Sequence, residues 1–556
     1  MRFARPSVPS AFRSLVSLRQ VFGLAVAGLI AAVVLTACTP RETAVDRGNR
    51  EQVLHRGVGP DLADLDPHLA TQAGDYNVLS ALFEGLVAED PVDLHPVPGV
   101  AERWDVSPDG LTYTFYLRAD TRWSNGDPVT AQDFIASWRR ALTPSLAAEN
   151  APLLYVISGA QAFHSGSGSF DQVGLAAPDA RTLRVTLEHP TPYFLSLLNH
   201  AIWFPVHLAS IEQHGSPTQR GNPWARPDRL VGNGPFTLEA WRKGQEIVVR
   251  KSDTYWDRAT VRLTRIHFHT IDSLDAEERA FRARQLHVTE ALPPGKVDVY
   301  RQESPALLRI DPLLGTYFYR LNTVRPFLND VRVRRALALA IDRDALVAKI
   351  LRGGQQPASS FTPPGTAGYF PPAPLRTDFE AARQLLADAG YPGGKGLPAF
   401  ELLFNSSEAH RAIAEAIQEM WRRELGVTVQ LSNQENTSVI AARRAGNFEI
   451  LRSVWTGDFV DPVSFLDIWR RDSGNNYTGW TSADYDALLF AAAREREPAA
   501  RFSLLQKAES LLLEAMPVIP IYHYTHVFLL QPSVKGWHPT LLDHHPYKHV
   551  WLEATP

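Results

Sequence analysis

A single cysteine among 556 residues leaves no internal disulfide to find. It also excludes any paired C-x-x-C metal or redox motif. An H-E-x-x-H helix and a G-x-S-x-G elbow are missing as well, so the zinc-protease and α/β-hydrolase signatures are absent. No repeat of fixed period runs through the chain, and beyond residue 37 no apolar run is long enough to span a bilayer. Basic residues are not in excess. The formal net charge is −4, and without residues 1–37 it is −8, from 52 of the 56 Lys and Arg against all 60 acids. Such an acidic body lacks the basic footprint that a nucleic-acid partner requires. The rest is ordinary for a globular protein, 45% hydrophobic and 21% charged. The length exceeds the ~250–300 residues of one core, which predicts roughly two to four domains.

What is present begins at the N-terminus. Arg2, Arg5, Arg13 and Arg19 precede an uncharged run from Val21 to Ala37. A basic segment followed by an apolar one reads as a secretory signal. The run is also at the lower edge for a permanent span, which is the alternative. Leu35-Thr36-Ala37-Cys38 decides between them, because it resembles a bacterial lipobox, with small residues before the cysteine that is cleaved free and acylated. Residues 1–37 are therefore expected to be a lipoprotein signal peptide. Residues 38–50 follow as an acylated N-terminus and polar tether, with Cys38 the lipidation site. More than one acyl chain suffices for stable anchoring.

Periodicity predicts mixed strands and helices. Leu111, Tyr113, Phe115 and Leu117 alternate with Thr112, Thr114 and Tyr116, a half-buried strand. Asn125-Gly126 marks a turn. Thr130 with Asp133 reads as a capping box, opening a helix whose apolar stripe is Phe134, Trp138 and Leu142. Leu183, Val185 and Leu187 predict another strand. Helices are expected over 336–350, 380–389 and 409–425, the last capped by Gly426 and followed by a strand at 427–431. The run 165–169 reads as a surface turn.

Several blocks recur in a family order: Leu65-Asp66-Pro67-His68, Leu82-Phe83-Glu84-Gly85-Leu86, the stretch from Trp104 to Trp138, Gly232-Asn233-Gly234-Pro235-Phe236, Tyr255-Trp256-Asp257, Leu328 to Val347, and Trp455 to Trp480. Together they resemble the periplasmic oligopeptide-binding proteins, a family of extracellular solute receptors that also holds dipeptide, murein-peptide, nickel and heme receptors. The resemblance implies an α/β, two-lobed, three-domain periplasmic-binding-protein fold with mixed sheets. Domain I would comprise 39–73, 200–312 and 526–556, domain II the insertion 74–199, and domain III 313–525. It further implies a periplasmic, lipid-anchored monomer, not an enzyme, without a cofactor. Such a protein captures short peptides in a closing cleft and delivers them to an ABC permease and ATPase complex in the inner membrane.

The same resemblance suggests site residues. Trp455 and Asp458 match the seat for a peptide's N-terminal ammonium, which needs a fixed counter-charge once water is excluded. Arg452, Arg443 and His410 fall where the C-terminal carboxylate is held, and a planar guanidinium suits a carboxylate. Arg452 also lies in an apolar stretch, 448–455, where a buried cation must find an anion, either an internal acid or the ligand. Segments 232–236 and 315–319, with Gly234 and Tyr317, are expected to pair with the peptide backbone by β-augmentation. Asp61 falls near an acidic position that touches ligand in some relatives. The cysteines that brace some members are absent at Gly315 and Thr456. A ligand-facing aromatic expected around 150–155 aligns loosely.

Eighteen histidines raise a competing metalloenzyme reading. His267 and His269, two apart on a probable strand, share a face, but two ligands do not make a site. His538, His544, His545 and His549 cluster with Asp543, short of a demonstrated zinc set and in what reads as a terminal strand approach. The other alternative is a receptor for a different solute, a dipeptide, murein peptide, nickel or heme.

Overall fold

The computed structural model describes residues 42–553 apart from Ala63, Gln72, Ala373 and Pro374, together with Met1 and Ala4. Cys38 and the expected lipobox lie outside the described residues, as does most of the leader. Three sheets carry the architecture. The first runs Val53–Gly57, Arg265–His269, Glu246–Lys251, Phe236–Arg242, with the outer pair parallel and the rest antiparallel. The second is an antiparallel meander of Ala101–Val106, Thr112–Leu117, Thr182–Thr186 and Leu175–Asp179. The third has six strands in the order Gln356–Pro357, Val518–Leu529, Leu308–Leu321, Ile450–Thr456, Phe400–Asn405, Val429–Gln434, and mixes parallel with antiparallel pairs. This is the α/β architecture with mixed sheets that the sequence implied.

Each sheet buries its own core. Leu54, Phe268 and Phe528 belong to the first, Phe115, Trp138 and Trp203 to the second, and Tyr319, Trp421 and Ile519 to the third. The helix Ala73–Leu82, placed by the sequence at the start of the insertion, gives Val78, Leu79 and Leu82 to the first core, which therefore reaches past residue 73. Phe459 crosses the other way: it leaves the third region, joins the second core and stacks on Tyr193 with ring centroids 4.8 Å apart.

Local signals mostly hold. Tyr113, Phe115 and Leu117 face inward from their strand. In the helix Ala131–Leu142, Asp133 Oδ2 accepts from both the amide (2.7 Å) and the hydroxyl (2.8 Å) of Thr130. The helix Glu408–Leu425 ends at Gly426, whose φ of 67° is the left-handed conformation that glycine adopts freely. The helix expected over 336–350 is instead two. Val331–Leu339 stops, and Asp342 opens a new turn by accepting from the amide of Ala345 at 2.9 Å. A side-chain acceptor inside an apolar, helix-favouring run ended the helix, which periodicity alone does not register.

Candidate functional site

The three regions meet around a cavity of about 500 Å³ whose walls include Tyr76, Asn150, His200, Glu290, Thr456, Asp458, His526 and Asp543. Four acids face it: Glu89, Glu290, Asp458 and Asp543. Glu89 is held by the Tyr76 hydroxyl at 3.0 Å and by His544 at 2.9 Å. Asp543 Oδ1 meets both His526 (2.9 Å) and His545 (3.0 Å). Glu290 and Asp543 each lie 3.9 Å from the buried guanidinium of Arg56. Burial opposes a charge on His526, but Asp543 and Glu290 outweigh it and push its pKa up to about 9. Asp458 differs from the other three: among the described residues no cation lies within ion-pair distance of it, and burial pushes its carboxyl above the usual carboxylate value.

The segment that carries Asp458 is firmly held by other groups. The indole of Trp455 donates to the carbonyl of Ser464 at 2.6 Å, and the amide of Asp458 donates to the Ser464 hydroxyl at 3.2 Å. Gly457 donates its amide to Leu314 at 2.8 Å. Below them the buried Asp461 takes both arms of Arg501, at 2.7 and 2.9 Å. The carboxylate of Asp458 is left out of this scaffold and meets no cation among the described residues.

At the other end of the same strand stands Arg452. Its guanidinium lies 4.7 Å over the ring of Tyr317 and donates to Asn405 (3.1 Å) and to the Tyr524 hydroxyl (3.2 Å). These partners are neutral. The anion that sequence reasoning demanded for Arg452 is not supplied by the described residues. Arg443 shares a smaller pocket of about 140 Å³ with it and lies 5.1 Å over Tyr477. Arg320, buried near Arg443, donates to the carbonyl of Asn475 at 2.7 Å, and burial followed by the Arg443 charge lowers its pKa to about 9. His410 packs 5.6 Å from Tyr317, its pKa lowered to about 4 by burial and then by Arg452, so it is neutral at pH 7. Arg320 was missed from sequence; it lies on the sheet face opposite Arg452, against Tyr477, which it shares with Arg443.

The backbone between these two ends is open on one side. The strand Ile450–Thr456 pairs with Gly315–Leu321 along its whole length, whereas its pairing to Phe400–Asn405 covers only Ile450 and Leu451. From Arg452 to Thr456 the second edge has no strand beside it among the described residues. An extended chain covers at most ~3.3–3.6 Å per residue, so Arg452 and Asp458 are no more than about 20–22 Å apart along this edge.

Three of the expected site residues are engaged by the chain itself. Residues 316–320, which include most of the expected segment 315–319, are paired on both sides, by 451–455 and by 518–523, and Tyr317 is buried under Arg452. Gly234 gives its amide to Leu82 at 3.0 Å, and a Cβ there would lie 2.5 Å from the Leu82 and Phe83 backbone; its smallness serves the chain's own packing. Asp61 accepts from the Trp241 indole (3.2 Å) and the Gly244 amide (2.9 Å), a loop clasp away from the cavity. Asp543, His544 and His545 were read from sequence as structural, and His526 was not singled out. The role of Asp543, His544 and His526 in the wall depends on Glu89 and Glu290, hundreds of residues away.

A second cavity, about 680 Å³, lies on the first region between Phe281, Tyr300 and Leu307. Of the acids that line it, Glu278 is met by Lys296 (2.6 Å) and Tyr300 (2.8 Å).

Comparison with known proteins agrees with this geometry. Residues 95–477 match the family model described as bacterial extracellular solute-binding proteins, family 5 Middle. The periplasmic oligopeptide-binding protein OppA of Escherichia coli is 35% identical over 528 residues, 92% of this chain and 95% of the relative. The unliganded open form of the murein tripeptide-binding protein MppA superposes with a TM-score of 0.80 at 35% identity, covering 92% of this chain and 99% of that one. Haemophilus influenzae OppA in complex with the peptide RPPGFSPFR gives 0.72 at 30% identity, covering 90% and 99%. Among the described residues no helix is long and apolar enough to cross a membrane.

Proposed function

The chain belongs to family 5 of the bacterial extracellular solute-binding proteins, and from that premise we propose that it captures short peptides and presents them to an ABC permease. The observation that supports this most is the pair of unanswered charges flanking one open strand edge. A peptide carries an ammonium at one end, a carboxylate at the other and a backbone able to pair between them. Laid along residues 452–456, it would place its ammonium at Asp458 and its carboxylate toward Arg452, with Arg443 behind. Main-chain pairing gives affinity without reading side chains, and two fixed charges give direction.

The cavity walls come from all three regions, so peptide binding would draw them together and favour the closed form by its differential affinity. Phe459 against Tyr193 is the contact beside Asp458 through which the second region feels that closure. The protein would act in the periplasm, anchored through acylated Cys38. Replacement Cys38→Ser should leave the unprocessed precursor, and normal cleavage of that variant would contradict the anchor. The reading is one of binding alone, with no chemical step assigned to any residue.

Thermal shift with a library of di- to hexapeptides tests the function. A ligand at ~100 times its Kd stabilises the folded state by ~2.7 kcal/mol. A clear rise in Tm with several peptides is expected, and no response from any of them would contradict peptide capture.

A further inference from the structure

Away from the cleft, the first sheet gathers histidines on one face. The parallel register sets His55 opposite His267, and Gly57 opposite His269. Alternation then puts the rings of His55, His267 and His269 on the same side. His55 and His267 have ring centroids 4.8 Å apart, and His55 and His269 5.3 Å. One donor nitrogen from each lies within 4.8 Å of the other two, and Nδ1 of His55 is 3.0 Å from Nε2 of His269. Two imidazole nitrogens ~2.1 Å from a shared cation at an angle of ~90–110° would stand roughly 3.0–3.4 Å apart, so this pair is already at chelating distance.

The surroundings are those of a prepared ligand set. Glu246, which faces His269 across the antiparallel register, accepts from Nδ1 of His267 at 2.8 Å. That bond fixes the tautomer and leaves Nε2 of His267 for an ion, as carboxylates behind ligating histidines do at metal sites. Arg242 pairs with the other oxygen of Glu246. Beneath the cluster, buried His287 takes the backbone amide of His55 at 3.0 Å and meets Asn49 at 3.2 Å, so the strand cannot slide. All three rings remain partly accessible to solvent.

We propose that His55, His267 and His269 form a binding site for a late first-row divalent cation, with His267 oriented by Glu246 and the remaining coordination positions open. Imidazole nitrogens select zinc, nickel or copper over the hard cations. The site is separate from the peptide cleft, and its ligands come from strands 53–57 and 265–269, more than 200 positions apart in the sequence.

The test uses the chain made without a histidine tag and stripped with chelator. Calorimetric titration with Zn2+ should give one equivalent per chain with micromolar or tighter affinity, and Co2+ should give a visible absorption band. His267→Gln, at a partly exposed ring, should weaken Zn2+ binding by at least ~10–100-fold and remove the band. Its Tm in chelator should match the parent, whereas only the parent gains Tm with Zn2+. His95→Gln serves as control, because Asp90, Asp93 and His95 are the other grouping of such side chains among the described residues. No Zn2+ binding by the parent, full binding retained by His267→Gln, or loss in His95→Gln would each overturn the proposal. The titration contains no peptide, so its failure leaves the peptide reading untouched.

Discussion

The two ends of the strand Ile450–Thr456 hold charge in opposite surroundings. Asp458 stands at a polar cavity where three other acids are already answered by His526, His544, His545, Arg56 and Tyr76. Arg452 lies on a wall of tyrosines, over Tyr317 and against Tyr524, with neutral acceptors only. One end leaves a lone charge in a site where every comparable charge is matched. The other leaves a charge in a pocket built from rings. An uncompensated charge inside a folded protein costs stability, so a chain that keeps two of opposite sign on one open edge has reserved them for something it does not itself supply. The ends also differ in what removal would do. The Asp458 carboxylate touches no scaffold, whereas Arg452 is packed along its length, so its loss removes contacts as well as charge.

The support beneath the acidic end should show the largest effect. Asp461 and Arg501 form a bidentate pair, both side chains nearly inaccessible, under the loop that holds Asp458. Asp461→Ala leaves a buried guanidinium alone and should cost about 3–5 kcal/mol in denaturant unfolding. A loss under about 1 kcal/mol, the worth of an exposed pair, would mean that the loop is held otherwise. At the basic end the expected loss is smaller. Arg452→Gln removes a charge-assisted bond worth ~1.5–3 kcal/mol, roughly 10- to 150-fold in peptide affinity. A C-amidated peptide should lose much less, and equal losses for both peptides would break the assignment of Arg452 to the carboxylate.

A third effect is gentler and depends on pH. His526 has a folded pKa of about 9 against an unfolded value of ~6.5. Its raised value means that its contribution to stability is fully present below about pH 6.5 and fades as pH climbs through 9. Denaturation midpoints should fall across that window in the parent, and His526→Gln should flatten this part of the profile. An unchanged slope would show that Asp543 and Glu290 do not hold the proton there.

Legibility from sequence followed the range of the interactions. The capping box at Thr130, the alternation of 113–117 and the glycine stop at 426 are local, and each is readable from a few residues. Asp458, Trp455 and Arg452 stand out only because their block resembles a family, yet the structure sets all three on one strand and its following loop. A free strand edge belongs to the neighbours and cannot be read from one segment: 316–320 looks like any strand, but both of its sides are paired, while 452–456 is open because 400–405 stops pairing with it at Leu403. The surroundings of Gly234 and Asp61 were hidden for the same reason, since their partners Leu82, Trp241 and Gly244 lie far from them in the chain. His267 and His269 were too few to read as a site until the parallel register brought His55 beside them.

Most depends on Asp458 reading a peptide's ammonium. Calorimetric titration of the parent and of Asp458→Asn, each with a free peptide and its N-acetylated form, completes a double cycle. Losing one partner of a buried charge pair costs ~2–5 kcal/mol, about 30- to 3,000-fold in affinity. The free peptide should therefore bind the parent that much more tightly than the acetylated one, while the Asp458→Asn protein should bind the two about equally and unfold like the parent. If acetylation costs the same in both proteins, Asp458 does not seat the ammonium, and the reading of this strand as a peptide berth fails at its anionic end.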